Sequence, residues 1–273
     1  STIHAPGFSN ITIKNGTVAP HRNGHGIDLS GGTWHVIENI HAIYGLCGID
    51  AGAYATVRNC RVTRSLQAGI RVDEGSVVEA CIVYDSPYSG SDGIQTGASS
   101  VVRNSTVSAW ADNGILAGPD TRLVDCTLRS VGVGINVNDG ATITGCSARG
   151  TDTYGIYALN GAHIEGCRVV DAGGHGILAG HQNRVVNNTV KNPGQNDAES
   201  AAVFVFGEGN TVKDNTCSGT NTYGIRITGT GNVLVSNHVT KFPAIMSGVQ
   251  GNHYGAFLRP GDATDVPNAN YRD

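Results

Sequence analysis

Apolar positions return along the chain in two short phrases, each repeated every 20 to 26 residues. The first is Gly-Ile or a close relative, then a variable residue, then an apolar or small one. It opens with Gly26-Ile27-Asp28-Leu29, Gly48-Ile49-Asp50-Ala51 and Gly69-Ile70-Arg71-Val72, and still reads clearly at Gly224-Ile225-Arg226-Ile227. The second phrase runs out of step with it and reads apolar-x-polar-(Cys/Asn)-x-apolar, as in Val57 to Val62, Val78 to Val83 and Leu123 to Leu128. Together they describe about eleven turns of one unit, and a period of this kind marks a repeat architecture.

Each unit holds two or three runs of three to five residues rich in Val, Ile, Thr and Gly, too short for helices. Turn residues such as Asp73-Glu74-Gly75, Asp139-Gly140 and Asn160-Gly161 separate them. Strands that recur once per unit stack in parallel, about 4.8 Å apart. The predicted fold is therefore all-β, a parallel β-helix. A leucine-rich repeat has a similar period, but the sequence supplies neither the leucine spacing nor a helical half. A solenoid grows along one dimension, so the 273 residues need only a single domain. Residues 1–10 are expected to form an N-terminal cap, 11–242 the coils, and 243–273 a C-terminal cap and tail. Two insertions, Asp85 to Asp92 and Lys191 to Ser200, are expected to project from one edge of the Gly-Ile face.

Cys60, Cys81, Cys126, Cys146 and Cys167 occupy one column of the repeat, which Asn188, Asn215 and Asn237 continue. Parallel neighbours lie too far apart for a disulfide, and one column cannot surround a metal. The expectation is an inward ladder of reduced thiols passing into an Asn ladder, with Cys126→Ser destabilising by roughly 1–3 kcal/mol.

Chemistry is then sought at the variable position of the Gly-Ile phrase, which simple alternation turns outward. Its first rungs carry Asp28, Asp50, Arg71 and Gln95, flanked by Asp73 and Glu74 on one side and by His21, Arg22, His25 and Asp92 on the other. Stacked carboxylates repel, so at least one should have a raised pKa or share a cation. The set suits acid/base chemistry on a sugar, or Ca²⁺ held through oxygen ligands, against the plain alternative of a solvated charged face. Leu116, Tyr157, Leu178 and Phe204 make later rungs apolar, an exposed stripe that the tail, a second copy of the chain or a ligand should cover. The net charge of −4 gives no sign of nucleic acid, and no apolar run reaches the ~18 residues of a membrane span.

The coil pattern from Ile11 to about Val239 resembles the bacterial right-handed parallel β-helix proteins of the pectate-lyase-like superfamily. The resemblance implies a single-stranded right-handed helix of about eleven coils, secreted or displayed at the cell surface, acting on a polysaccharide. In a lyase-like role, Arg71 would be the base, and Asp28, Asp50 and Asp92 would bind substrate or metal. His25, Asp73, Gln95 and Tyr157 are the expected substrate contacts. Ser91-Asp92-Gly93, Gly174-His175-Gly176 and Arg226-Ile227 look like polygalacturonase motifs, which implies a hydrolase alternative. Thr228 stands where that family has lysine, the paired aspartates are missing, and His25 lies in another Gly-His-Gly. The remaining alternative is a non-catalytic structural or adhesion module. Arg71→Ala is expected to remove activity or binding with the melting temperature almost unchanged.

Overall fold

The computed structural model describes residues 2–258 and 270–272, apart from 22, 87, 197–198, 221–222, 243, 248–249 and 256. Side chains are described at these positions except 111, 244–247, 257–258 and 270–272. Arg22 and most of the tail expected to cover the apolar stripe thus lie outside the described residues. There is no helix among the described residues. The strands form a parallel β-solenoid of short rungs, as the two phrases predict. Two compact units divide the chain, residues 1–137 and 138–273.

In the first unit one turn comprises Cys47–Asp50, Thr56–Arg58 and Arg61–Thr63, and the next Ala68–Val72, Val77–Glu79 and Ile82–Ser86. The registers pair like with like. Ile27, Ile49, Ile70, Ile94, Ile115 and Ile135 stand on successive rungs, as do Val57, Val78, Val102 and Leu123. All of these side chains are fully buried. Each contributes roughly 1.5–3 kcal/mol of apolar burial, so the stacks dominate the stability of the unit. Ile3–His4 adds a parallel strand beside Ile27–Asp28 at the N-terminal edge.

The second unit repeats the scheme with Ile156, Ile177, Val203 and Ile225 in one stack and Ile164, Val185, Val212 and Leu234 in another. Here Asn side chains satisfy the backbone of the bends. Asn188 donates its amide to Asn215 at 3.0 Å, and Asn215 donates to Asn237 at 2.9 Å. A second set, absent from the sequence reading, links Asn210 to Asn232 and Asn232 to Asn252. The seven cysteines are all buried and none lies in a disulfide.

The insertion Asp85 to Asp92 is anchored at its two ends, while Ser89 and Gly90 at its tip are exposed. Ser86 and Ser91 are buried, and the Ser86 hydroxyl donates to the Ser65 carbonyl at 2.6 Å. In the second insertion the backbone N–H groups of Gly194 and Asn196 donate to the carbonyls of Gly174 and Gly173.

Candidate functional site

The Gly-Ile step breaks the alternation of the strand, and the break builds the site. A Cβ on Gly48 would lie 2.2 Å from Val62 Cγ1, and on Gly69 or Gly93 it would lie 2.4 Å from the corresponding valine. Glycine and isoleucine therefore both face the core in succession. The residue before the glycine and the residue after the isoleucine are left side by side on the other surface, three positions apart. This crease flanks a column of His25, Cys47, Ala68, Asp92 and Asn113 with a column of Asp28, Asp50, Arg71, Gln95 and Leu116.

Arg71 is at the centre of the crease. Its Nη1 lies 3.4 Å from Asp50 Oδ2, its Nε donates to Gln95 Oε1 at 3.1 Å, and Nη2 reaches Gln67 Oε1 at 3.5 Å. On the rung before, Asp28 Oδ1 accepts the Ser30 hydroxyl at 2.7 Å and the Ser30 N–H at 3.2 Å, while Oδ2 contacts His4 Nδ1 at 2.9 Å. Further on, Asn113 donates its amide to Asp92 Oδ1 at 2.8 Å and accepts from Asn136 at 3.1 Å, a bond from one column to the other. Next to Asp50, one ligand atom each from His25, Cys47 and Asp50 lies within 4.8 Å of the others.

The expected solvated outward charges need correction. Asp28, Asp50 and Asp92 are only 8%, 4% and 9% exposed, because the crease and the flanking rungs cover them. Burial splits their behaviour. It pushes the Asp50 carboxyl above its ordinary range, against the opposing pull of Arg71 and His25 and with a smaller push from Asp28. Burial also raises Asp92, outweighing the Asn113 hydrogen bond. Asp28 is desolvated too, yet the Ser30 hydroxyl and N–H, with His25 and His4, bring it below its ordinary value. A raised carboxyl is present, as the stacking argument required, but desolvation rather than the neighbouring carboxylate is its main cause.

The crease gathers His25, Asp28, Asp50, Arg71, Asp92 and Gln95. Asp73 stands apart from it: exposed, it borders an open hollow of about 480 Å³ with Glu74, Gly32, Ala53 and Gly97. Tyr157 belongs to the second unit, where its ring lies 6.0 Å from that of Tyr154. Cys47 and Asn113 are the members that sequence reasoning missed, since strict alternation places the residue before Gly-Ile on the core side. The apolar stripe is also less bare than expected: Leu178 is 8% exposed, while Leu116, Tyr157 and Phe204 are half-buried. His175 stacks on Tyr154 at 5.6 Å, meets Phe204 at 4.7 Å, and accepts the Ala201 N–H at Nδ1.

The residues do not suit a Ca²⁺ site. That cation takes six to eight oxygen ligands. In the crease, the Asp28 oxygens are occupied by Ser30 and His4, Asp92 is engaged by Asn113, and the neighbours of Asp50 offer nitrogen and sulfur.

Among the described residues, no helix is long and apolar enough to cross a membrane. No curated protein matches the chain in sequence. Among solved structures, the A-module of the Azotobacter vinelandii mannuronan C-5 epimerase AlgE6 is similar over 93% of this chain and 79% of its own, at 13% identity and a TM-score of 0.68. The N-terminal fragment of the bacteriophage Phi29 gene product 12 is similar over 92% of this chain and 61% of its own, at 11% identity and a TM-score of 0.67. The Dettilon tailspike protein covers 97% of this chain and 61% of its own, at 14% identity and a TM-score of 0.52. These likenesses carry the fold. The family model described as "right handed beta helix region" matches residues 1–128 and 92–241, and the chain belongs to that family.

Proposed function

We propose that this chain is a secreted polysaccharide-binding β-helix that holds an acidic glycan along the crease of its first unit. The observation that carries this reading is the guanidinium of Arg71, held by Asp50, Gln95 and Gln67 between consecutive polar rungs. A planar guanidinium with fixed partners is suited to a sugar carboxylate. Rungs ~4.8 Å apart offer a repeating set of donors and acceptors to a linear polymer. The similarity to a mannuronan epimerase module supports a carbohydrate role through the shared fold alone.

Cleavage is a second reading, favoured by the raised carboxyls of Asp50 and Asp92, since an acid/base group works best when its pKa approaches the working pH. In that reading the ionised Asp50 carboxylate accepts the ring proton beside the sugar carboxylate, the glycosidic C–O bond breaks to leave an unsaturated end, the departing oxygen takes a proton from water, and Arg71 neutralises the sugar carboxylate.

The test measures binding to a panel of uronic-acid and neutral polysaccharides, together with new unsaturated or reducing ends. Arg71→Ala alone is a poor probe, because it leaves the buried Asp50 carboxylate without its cation and should lower the melting temperature, contrary to the expectation for an exposed Arg. Arg71→Gln combined with Asp50→Asn removes both charges together. The double variant is expected to bind a polyuronate at least about tenfold more weakly, a loss of ~1.4 kcal/mol. His175→Ala is expected to bind normally. Equal binding by the double variant, or no retention of any acidic polysaccharide, would refute the reading.

A further inference from the structure

We infer that His25, Cys47 and Asp50 form a binding site for a borderline-soft divalent cation, of which Zn²⁺ is the representative. One ligand atom from each lies within 4.8 Å of the other two, so small side-chain rotations bring a ring nitrogen, a thiolate and a carboxylate oxygen onto a single ion. The three come from two adjacent rungs, His25 beside Cys47 across the stack and Asp50 three residues after Cys47 across the crease. Gly48 makes this closeness possible by turning inward against Val62.

A second observation points to a ligand. Nδ1 of His25 is buried and has no hydrogen-bond partner. A buried ring nitrogen without a partner is destabilising, and a metal ion would satisfy it. Cys47 is fully buried in the same place, outside the Cys60 column and outside any disulfide.

The donor set selects the ion. One nitrogen, one sulfur and one oxygen suit zinc, which takes such ligands in tetrahedral sites, and they do not suit Ca²⁺ or Mg²⁺. Three protein ligands leave the fourth position to water or to an oxygen of a bound molecule. The charges also balance. Binding releases the Cys47 thiol proton to solvent, so a divalent ion meets one thiolate and one carboxylate. Arg71 engages Asp50 through Oδ2 and fixes the orientation of the carboxylate, as outer partners of metal ligands do. The inference is independent of the polysaccharide reading, because the ion alone is the probe.

The test is calorimetric titration of Zn²⁺ into chelator-treated protein, with Co²⁺ absorption as a second readout. The expected result is one Zn²⁺ per chain, a higher melting temperature with the ion present, and a thiolate-to-cobalt charge-transfer band. Cys47→Ala should abolish the band and weaken Zn²⁺ by more than the ~10–100-fold typical of losing an outer partner. His25→Ala, at a half-buried position, keeps the test decisive if Cys47→Ala fails to fold, and it should weaken Zn²⁺ in the same way. Cys81→Ala should leave binding unchanged. The site is refuted if wild-type protein takes up no stoichiometric Zn²⁺, if neither variant changes the affinity, or if Ca²⁺ raises the melting temperature and Zn²⁺ does not.

Discussion

Gly48 lies against Val62 so closely that a Cβ would come within 2.2 Å of the valine Cγ1. That contact turns Gly48 inward, next to the inward Ile49, and brings Cys47 and Asp50 onto one surface. Gly48→Ala should therefore damage both fold and site. A methyl group has to displace core valine, so destabilisation should exceed the ~1–3 kcal/mol of ordinary overpacking. Gly16 is the control: nothing lies within 4 Å of its hypothetical Cβ and its φ is not positive. Gly16→Ala should be neutral or stabilising by about 0.4–1 kcal/mol. Denaturant midpoints of the two variants check the contrast, and equal effects would refute it.

Asp28 and Asp50 occupy the same position on adjacent rungs, yet they should give stability opposite pH dependences. The Asp50 carboxyl titrates above its ordinary value of 3.8 in the folded chain. Between those two values the folded state binds more protons than the unfolded one, so stability falls as pH rises through the window. The Asp28 carboxyl titrates below 3.8, so its contribution is present above that value and is lost as pH falls through the folded pKa. Asp50→Asn should flatten the first slope, and Asp28→Asn should lower stability at neutral pH. Melting temperatures across the acid range test both, and parallel curves for the two variants would contradict the assignment.

The two core cysteine environments predict different tolerance to serine. Cys126 Sγ faces the carbonyls of Val124 at 3.4 Å and Val102 at 3.6 Å. Ser105, in the same column, already donates to the Arg103 carbonyl at 3.0 Å. Cys126→Ser should thus keep a hydrogen bond and change stability by less than about 1 kcal/mol, below the range expected from the sequence. Cys217 belongs to a different stack, between Val190 and Val239, and burial pushes its thiol up to about 12. Cys217→Ser should destabilise by roughly 1–3 kcal/mol, since the hydroxyl enters an apolar stack. Thermal unfolding of both variants decides the matter.

The coils were legible because each Ile of the Gly-Ile phrase and each apolar residue of the second phrase sits in a stack of its own copies. Repetition multiplies a weak three-residue signal until register is fixed. The site was only partly legible. Asp28, Asp50 and Arg71 follow from strand alternation, but Cys47 and Asn113 reach the same surface through the doubled inward step at glycine, which alternation does not contain. The signal available was the glycine before the isoleucine, which only the Ala202-Val203 rung lacks among the copies of the phrase, since a residue demanded on nearly every rung implies a close contact there. The burial of the three aspartates was hidden for a related reason. A residue that turns away from the core is ordinarily solvated, but in a crease its neighbours cover it.

Ala80 stands in a column that elsewhere carries Asn, Asp, Gly or Ser. The bend before each Cys/Asn position uses a left-handed backbone, with Asn59 at φ 53°, Ala80 at 51° and Asn104 at 52°. Asparagine adopts this region at lower cost than alanine, a difference within the ~1–2 kcal/mol strain of a left-handed residue. The side chain at position 80 is exposed, so nothing needs to repack. Earlier in the same column, Asn39 donates its amide to Asn15 at 3.0 Å, the contact that an asparagine at position 80 would offer to Asn59 and Asn104. Ala80→Asn should therefore stabilise the chain by about 0.5–1 kcal/mol and raise the melting temperature by roughly 1–4 °C. Ala80→Val, β-branched in the same conformation, should lower it. If both substitutions shift the melting temperature in the same direction, backbone strain at this bend is not what limits stability there.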